Sequence, residues 1–315
     1  MMRVYSLSRD RLVELGAPAS PEQLRESVWI DLQEPTEEER QTVDKLHPAG
    51  LPDAEDVEEI EASARYFTDR NGIHVHSTFL NPSEGRMRTS TVAFTLLPDK
   101  LLTLRDTDLA DFRLLRMRMR RGQVEATTPL AVMIALVAQK VENLADWVED
   151  LYRELQEVSY MVLEEEGGTM EDAIDELAAL EDSNGKIRLC LMDTQRSISF
   201  LMRNIRQQPA EVGRCQEMLH DLDTLMTHSN FLFDKINFLM DAALGFINIE
   251  QNQIIKIFSI AAVVLLPPTL VASIYGMNFR YMPELDWVAG YPMALGLMVL
   301  AGLAPYWYFK RKGWL

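Results

Sequence analysis

The sequence is poor in the residues from which most chemical sites are built. It contains 2 cysteines and 5 histidines among 315 residues. No zinc-type CxxC pair, phosphate-binding glycine loop or Ser/His/Asp constellation can be traced in it. Cys190 and Cys215 lie in helical patterns without ligand spacing, which is typical of small buried residues in a reducing compartment. We therefore expect a protein that is not an enzyme and that needs no organic cofactor and no nucleotide.

Positive charge is also scarce. The chain has 31 Lys and Arg against 48 Asp and Glu, a formal net charge of −17. A nucleic-acid partner is disfavoured because a protein that neutralises phosphates needs a basic face. An acidic excess suits solubility and also raises the local concentration of cations. The N-terminus, MMRVYSLSRDRL, has no apolar core of a signal peptide, so no cleaved leader is expected.

Two long stretches near the C-terminus lack charged residues altogether. They cover residues 257–279 and 287–309. Each is long enough to cross a hydrocarbon core of about 30 Å, which takes about 20 helical residues. The sequence therefore predicts two adjacent transmembrane helices in a lipid bilayer.

The charges that flank these spans predict their orientation. Lys256 precedes the first span, and Lys310, Arg311 and Lys312 follow the second, whereas the connector 280–286 carries one basic and two acidic residues. The positive-inside rule places the long N-terminal region and the C-terminal tail in the cytosol.

The N-terminal part, residues 1–127, has a mixed α/β pattern. Four segments read as strands of a sheet with mostly hairpin connections: SVWIDL, GIHVHSTFL, TSTVAFTLL and KLLTLRD. EPTEEER favours a helix start after the first of these strands, and DAEDVEEIEASARYF reads as a short acidic helix. We expect an α/β domain here.

Residues 128–253 read as helices throughout. Apolar residues spaced alternately four and three apart form a heptad seam in a first helix, after which Gly167 and Gly168 break the pattern. A second helix is predicted from about Met170 to Gln207, which gives a helical hairpin. A third could run from about residue 211 to 276, roughly 100 Å at 1.5 Å per residue. The first seam consists of Val137, Val141, Leu144, Val148, Leu151, Leu155, Val158 and Val162, and the second of Ile187, Leu191, Ile198, Leu201 and Ile205.

The first span carries a stripe that is polar at both ends and apolar in the middle. A heptad spacing places on one face Asn252, Ile255, Ala262, Leu266, Thr269 and Ser273, with Phe258 or Ser259 between them. Around a symmetry axis this stripe would line a pore with a dry constriction and hydroxyl rings. Small and hydroxyl residues also serve plain helix packing in membranes, so periodicity alone leaves both interpretations open.

Pro267 and Pro268 remove backbone donors in mid-span, which indicates either a functional break or a passive kink.

The triplet Gly276-Met277-Asn278 follows this span. The Asn carboxamide oxygen is a neutral acceptor, and Gly lets the chain leave the helix with a carbonyl exposed. Mg²⁺ releases water reluctantly and requires octahedral oxygen geometry. A ring of carboxamides and carbonyls could hold the hydrated ion without stripping it, although Gly and Asn also commonly end helices.

These features together resemble the CorA family of magnesium and cobalt transporters, in particular its proteobacterial subgroup. The segments that carry the resemblance extend along nearly the whole chain: VWIDLQEP, EASARYF, STVAFT, RLCLMDTQRS, GFINIEQNQIIKIFS, LPPTLVAS, YGMNF, YMPEL and YFKRKGWL. The position of the triplet after the first of two C-terminal spans makes the match specific.

The resemblance implies a funnel-shaped homopentamer with an αβα domain at its rim. The long helix would continue into the first span and line the pore. Gly276, Met277 and Asn278 would form the outer selectivity ring, with Asn278 contacting the hydrated ion. Carrying the family's pore positions across gives Asn252, Ile255, Phe258, Ala262, Leu266, Thr269 and Ser273, with an apolar gate at Ile255 and Phe258.

Two positions depart from the family pattern or resist assignment. Family loops often carry an acid directly after GMNF, whereas this chain has Arg280, which leaves Glu284 and Asp286 as the acidic loop residues. The family also senses intracellular Mg²⁺ through carboxylates between protomers. The helix position falls at or near Glu217, with Asp221 and Asp223 close by, although a solvated acidic face explains these three equally well.

The resulting expectation is a potential-driven importer of Mg²⁺ that also passes Co²⁺ and Ni²⁺ and is regulated by cytosolic Mg²⁺. Two alternatives stay open. One is the zinc-transporting branch of the superfamily, against which Met277 argues because that branch usually replaces the Met. The other, from a different class, is a membrane-anchored oligomeric scaffold or sensor.

Two weaker patterns remain. His74 and His76 share one face of a strand and could chelate a transition metal, but without a third ligand sheet packing is favoured. The basic run 113–121, RLLRMRMRR, reads as an amphipathic helix that could meet the protein's own acidic surface, another subunit or anionic lipid.

Overall fold

The computed structural model describes residues 1–8, 11–16, 20–47, 51–52, 65–83, 86–164 and 168–314, with the side chain of residue 285 left aside. The chain divides into two compact units. The first covers Met1–Met240 and the second Asp241–Leu315.

The first unit is built around a seven-stranded mixed sheet. Its order is β2-β1-β3-β7-β6-β5-β4, and every neighbouring pair is antiparallel except β3 with β7. The strands are β1 (Met2–Ser8), β2 (Arg11–Glu14), β3 (Trp29–Gln33), β4 (Tyr66–Thr68), β5 (Ile73–Leu80), β6 (Thr89–Leu96) and β7 (Leu101–Arg105). The central strands β3 and β7 are buried on both faces, with Asp31, Thr103 and Arg105 among the buried residues, which is the pattern of strands covered on both sides.

Short helices connect the edge of this sheet to its centre. Helix α1 (Pro21–Glu26) begins at Ser20 and helix α2 (Glu37–Leu46) at Thr36. Each helix starts with a capping box. The hydroxyl of the cap residue, Ser20 or Thr36, accepts a hydrogen bond from the backbone N–H three residues on, and the side chain of that residue, Gln23 or Glu39, accepts one from the N–H of the cap residue. Helix α3 (Ala110–Arg120) follows β7.

Two long helices, α4 (Pro129–Glu164) and α5 (Met170–Asn204), pack along each other. Every residue of the two predicted heptad seams is buried. The seams are therefore confirmed as the apolar contact surface of these helices. Burial of such a seam contributes about 25 cal/mol per Å² of apolar area removed from water.

The remaining elements of the described residues are two more helices and a short connector. Helix α6 (Pro209–Tyr275) has 67 residues, a 3₁₀ turn covers Pro283–Leu285, and helix α7 (Gly290–Arg311) has 22. Within the first unit, α6 packs on α5 through the buried Asn184, whose amide donates to the Ser229 carbonyl at 3.1 Å. The uninterrupted third helix that the sequence predicts is confirmed to within two residues.

The sequence predictions for the N-terminal part are incomplete. They omit strands β1 and β2, whose sequences MRVYSLS and RLVE mix polar and apolar residues without a long regular alternation. The acidic helix predicted at 53–67 lies mostly outside the described residues. Its last two residues, Tyr66 and Phe67, belong to β4 instead, where they pair with Val75 and His74. The tertiary pairing with β5 overrides the local helical pattern there.

Candidate functional site

Two helices of the second unit are long and apolar enough to cross a membrane: the apolar part of α6, and α7. Their surfaces are largely exposed in the single chain. An exposed apolar surface of this size is stable only in lipid or against further helices. The two predicted spans are therefore present as helices, except that the first helix ends at Tyr275 rather than at 279 and the second begins at Gly290 rather than at 287.

The predicted pore stripe lies along the outside of α6. Its apolar members project strongly, with Ile255 61%, Phe258 71% and Leu266 64% exposed. All of them lie on one continuous helix, and the chain's own α7 leaves them uncovered. The small and polar members, likewise exposed, are Asn252, Ala262, Thr269 and Ser273.

The hydroxyl of Thr269 is directed at its own helix. It donates to the carbonyls of Leu265 at 3.1 Å and Leu266 at 2.8 Å. Because its single hydrogen is engaged in this way, its oxygen lone pairs remain as acceptors. That arrangement suits the hydrogens of a hydrated cation better than it suits an anion.

The paired prolines lie inside α6 without ending it. Pro267 and Pro268 have no N–H groups, so the carbonyls of Val263 and Val264 lose their usual donors four residues on. Helix α7 comes close at this level. A Cβ built on Gly302 would lie 3.3 Å from Cγ of Pro268 and 3.6 Å from the carbonyl oxygen of Val264.

The triplet lies where α6 ends. The N–H of Gly276 donates to Ala272 at 2.9 Å, and that of Met277 donates to Ile274 at 3.3 Å, which closes the last turn. A side chain at Gly276 would place its Cβ 3.0 Å from the Ala272 oxygen. Met277 and Asn278 are exposed. The helix end thus presents the carboxamide and backbone oxygens to solvent.

The connector between the spans is short and held by a close backbone approach. The N–H of Gly290 donates to the carbonyl of Trp287 at 2.9 Å, and a Cβ on Gly290 would lie 2.1 Å from the carbonyl oxygen of Glu284. Only glycine fits this position. The three charged loop residues, Arg280, Glu284 and Asp286, are all exposed.

The basic tail after α7 folds into a tight cap. Gly313 adopts a φ of 71°, the left-handed conformation that ends many helices. The N–H of Trp314 then donates to Phe309 at 3.1 Å, and the two rings stack with centroids 5.5 Å apart. Lys310, Arg311 and Lys312 surround this turn, where cations also complement the helix dipole.

The three predicted regulatory carboxylates lie on exposed positions of α6 in the first unit. Glu217 and Asp221 are one turn apart on the same face. Asp223 is turned toward α5, where it accepts from Nε2 of Gln195 at 2.8 Å. Among the described residues no group of three or more His, Cys, Asp or Glu side chains could hold a metal ion within one chain.

The histidine pair is part of the sheet. His74 and His76 are both buried. His74 has its Nε2 3.2 Å from Asp69, its Nδ1 3.2 Å from the Thr95 hydroxyl, and its ring stacked on Phe67 at 4.4 Å. These contacts favour the packing interpretation of the pair.

A buried ionic network in the first unit is absent from the sequence predictions. Lys140 of α4 is 2% exposed and donates to the Ser77 hydroxyl at 2.8 Å, with Asp193 of α5 3.7 Å away. Asp193 accepts from the Tyr66 hydroxyl at 2.5 Å, from Ser77 at 2.8 Å and from the Thr78 N–H at 2.7 Å. The network ties β4 and β5 to α4 and α5.

Burial and pairing oppose each other in this network. Burial lowers the pKa of Lys140, because the charged form loses its hydration, although Asp193 acts against that shift. Burial alone would raise the pKa of Asp193, but the charge of Lys140 and the hydrogen bonds from Tyr66 and Thr78 hold it below its ordinary value. Single charged residues next to seam positions in otherwise apolar stretches, Lys140 beside Val141 and Asp193 near Leu191, are the sequence signal for this pair.

An α/β unit followed by two adjacent helices of membrane length defines an integral membrane protein with two C-terminal spans. Residues 25–311 match the family of CorA-like Mg²⁺ transporter proteins. The chain is 47% identical over 317 residues, with all of both chains covered, to the magnesium transport protein CorA of Salmonella typhimurium and to that of Escherichia coli K12. The chain belongs to the CorA-like Mg²⁺ transporter family, which is a family of transporters and not of enzymes.

Solved structures support the fold. The complete CorA magnesium transporter of Methanocaldococcus jannaschii superposes with a TM-score of 0.83 at 19% identity, covering 100% of this chain and 99% of that one. The full-length CmaX protein gives 0.73 at 18% identity, covering 99% and 97%. The cytoplasmic domain of ZntB from Vibrio parahaemolyticus gives 0.60 at 10% identity, covering 78% of this chain and 97% of that domain. At these identities the likeness concerns the fold alone.

Proposed function

We propose that this protein is a homopentameric channel that imports Mg²⁺ across the bacterial inner membrane. The observation that carries the proposal is the exposed stripe of α6, which runs from Asn252 to Ser273 and ends at the Gly276-Met277-Asn278 triplet. It lies on the spanning helix of a chain whose full-length relatives are magnesium transport proteins. Self-association would cover the stripe and turn it inward.

The stripe has the chemistry of a gated ion pathway. Asn278 would hold the hydrated ion through its carboxamide oxygen, and the hydroxyls of Ser273 and Thr269 would accept hydrogen bonds from its water shell. Leu266, Phe258 and Ile255 would form the dry constriction, which conducts only when wetted. Asn252 lies at the inner end, with Ala262 as the small residue between the apolar rings.

The membrane potential supplies the driving force. An inside-negative potential contributes about 2.3 kcal/mol per charge per 100 mV, twice that for a divalent ion. The N-terminal unit and the tail Lys310–Lys312 would lie in the cytosol by the positive-inside rule. Ions of similar size and charge, Co²⁺ and Ni²⁺, would pass the same filter.

Cytosolic Mg²⁺ would close the channel. Exposed carboxylates on α6, with Glu217, Asp221 and Asp223 as candidates, would bind Mg²⁺ between subunits and hold the assembly symmetric. When the ion leaves, repulsion between the carboxylates would loosen the bundle. In this scheme residues 1–127 form the cytosolic α/β domain, 128–253 the hairpin and stalk helix, and 254–315 the pore domain.

The test is Mg²⁺ flux into liposomes at controlled voltage. We expect Asn278→Ala to lower the flux at least about tenfold, because the carboxamide that would hold the ion's water shell is lost. Asn230→Ala, an exposed Asn on the soluble part of α6, serves as the matched control and should behave as the parent. Equal flux through Asn278→Ala and the parent would overturn the proposed filter.

The same assay separates the alternatives. Competition between Mg²⁺, Co²⁺ and Zn²⁺ distinguishes a magnesium channel from a zinc-transporting relative, and preferential Zn²⁺ flux would favour the latter. A membrane-anchored scaffold or sensor predicts no flux of any of these ions at any voltage.

A further inference from the structure

The N-terminal unit of this acidic protein contains a strongly basic cavity. It has a volume of about 530 Å³ and lies between β1, β2 and α3. Five arginines line it: Arg3, Arg113, Arg116, Arg120 and Arg121. The one carboxylate among the described lining residues is Glu14. The positive charge is therefore concentrated in a concave site, although the whole chain carries −17.

The helix register explains how the arginines come together. Arg113, Arg116 and Arg120 are spaced three and four residues apart, so they share one face of α3. Arg3 reaches the same place from β1, and Arg121 caps the end of the helix. The apolar side chains Phe112, Leu115 and Met119, also spaced three and four residues apart, lie on the buried face of α3.

The protein's own carboxylates pair with two of the outer arginines, Arg113 and Arg120. Arg120 pairs with Glu14 at 2.6 Å and Arg113 with Asp108 at 2.6 Å. Arg3 lies 3.8 Å from Glu14, which already has a closer partner. The side chains of Arg120 and Arg113 are mostly solvated, at 73% and 53% exposed.

The innermost arginine is different. Arg116 is 9% exposed, and its Nη1 has no hydrogen-bond acceptor in the described part of the chain. Its ion pairs are long, at 3.7 Å to Asp31 and 3.9 Å to Asp108. Asp31 forms its closer ion pair with Arg105, which donates to both carboxylate oxygens at 3.1 and 2.9 Å. Nη1 of Arg3 likewise lacks an acceptor among the described residues.

A buried guanidinium without close acceptors is costly, because its donors lose water and gain no equivalent bond. Burial lowers the pKa of Arg116, and the neighbouring charges of Arg3 and Arg105 act in the same direction, against Tyr5 and Asp31. A ligand that supplies negative charge would offset the charge of Arg116, and its acceptor oxygens would serve Nη1 once the guanidinium turns toward the cavity, since that atom is closed to solvent in this structure.

We propose that this cavity binds a soluble phosphate compound with two or more negative charges, such as a phosphate monoester or a diphosphate. Arg116 and Arg3 would contact it at the base, and Arg113, Arg120 and Arg121 at the rim. Guanidinium groups bind the oxygens of carboxylates and phosphates in pairs, which excludes a halide. A phosphate with two negative charges offers more acceptor oxygens and more charge to several arginines than one carboxylate does. The described lining residues include no aromatic ring on which a base could stack, so the phosphate itself is the part recognised.

The concave shape favours a small anion over a protein surface. An acidic side chain of another copy would meet the outer arginines, which already have carboxylate partners, and would leave Arg116 without one. A lipid phosphodiester shares the phosphate chemistry but carries a single charge. Calorimetry with pyrophosphate and with short-chain phosphatidylglycerol separates these two sources.

The test is isothermal titration calorimetry of inorganic pyrophosphate into the full-length chain in neutral detergent at low salt. We expect saturable binding that weakens at least about tenfold in the double variant Arg113→Gln/Arg120→Gln, since two charged donors are lost. Arg116→Lys should also weaken it about tenfold, because lysine keeps the charge but not the forked donor geometry. Thermal unfolding of each variant checks that it remains folded.

The matched control is Arg153→Gln, an exposed arginine of α4 that pairs with Asp150 and lies away from the cavity. It should bind pyrophosphate as the parent does. Absence of saturable binding to the parent, equal loss in the control, or full binding by Arg116→Lys would each overturn the proposal. Tighter binding of short-chain phosphatidylglycerol than of pyrophosphate would assign the site to lipid and overturn the soluble ligand.

Discussion

Gly302 of α7 faces Pro268 of α6 so closely that a single added methyl carbon would lie 3.3 Å from the proline Cγ. We predict that Gly302→Val separates the two spanning helices and lowers the thermal midpoint of the detergent-solubilised protein, at a cost of about 1–3 kcal/mol for overpacking. Close approach of small residues is a main source of helix association in membranes, so Mg²⁺ uptake should fall as well.

Gly296 on the same helix provides the matched control for that substitution. A Cβ there would meet no other described atom within 4 Å. Gly296→Val should therefore leave both the midpoint and uptake close to those of the parent. Equal effects of the two substitutions would show that the approach of Gly302 to Pro268 contributes nothing specific.

The buried pair Lys140–Asp193 should make the first unit sensitive to acid. The pKa of Asp193 is lowered in the folded state, so the unfolded state binds more protons below the ordinary value of about 3.9. The pair's stabilisation is complete above that value and is lost as pH falls through the folded pKa. We predict that Asp193→Asn lowers the free energy of unfolding by about 3–5 kcal/mol at neutral pH, because Lys140 is left unpaired.

Unfolding of the full chain, followed by circular dichroism between pH 3 and 7, tests this prediction. Asp193→Asn should also flatten the loss of stability below about pH 4. Asp150→Asn breaks an exposed pair with Arg153 and should cost less than about 1 kcal/mol. If Asp193→Asn loses as much unfolding free energy at low pH as the parent does, other carboxylates cause the acid sensitivity.

Arg280 places a positive charge directly after the proposed filter, where a cation would arrive. We predict that Arg280→Glu raises Mg²⁺ uptake at limiting Mg²⁺ about two- to fivefold at low ionic strength. Arg280→Gln should give an intermediate value, and about 0.15 M salt should reduce both gains by screening. Unchanged uptake in all conditions would mean that the guanidinium points away from the ion path.

Neutralising the carboxylates on α6 should alter feedback inhibition. The triple variant Glu217→Gln/Asp221→Asn/Asp223→Asn is predicted to raise the internal Mg²⁺ concentration needed to inhibit uptake about tenfold or more. Voltage-clamped liposomes loaded with graded Mg²⁺ provide the measurement. A triple variant of exposed acids on other helices, Glu154→Gln/Glu157→Gln/Glu181→Gln, controls for net charge, and identical curves for both would exclude the assignment.

The fold could be predicted best where periodicity is long. The seams of α4 and α5 extend over several heptads, so their burial followed directly from the sequence. Strands β1 and β2 mix polar and apolar residues, and they exist because β3 offers an edge with which Met2 to Tyr5 can pair. No local pattern contains that information.

Parts of the candidate site could likewise be predicted from the sequence, and other contacts could not. The stripe from Asn252 to Ser273 lies on one helix, so heptad spacing is enough to order it, and the triplet follows directly after the helix ends at Tyr275. The contacts of Lys140 with Ser77 and of Arg116 with Asp31 join residues that are far apart in the chain. Their geometry depends on the packing of sheet against helix, which a single sequence does not encode locally.

The paired prolines turn two backbone groups into built-in spectroscopic reporters. The carbonyls of Val263 and Val264 have no N–H four residues on, and their infrared stretching frequency depends on whether water reaches them. A ¹³C=¹⁸O label at Val264 should absorb at higher frequency when that part of the span is dry and shift downward when it is wetted. One isotopically edited peptide group, with no added probe, would then report hydration in the middle of the membrane.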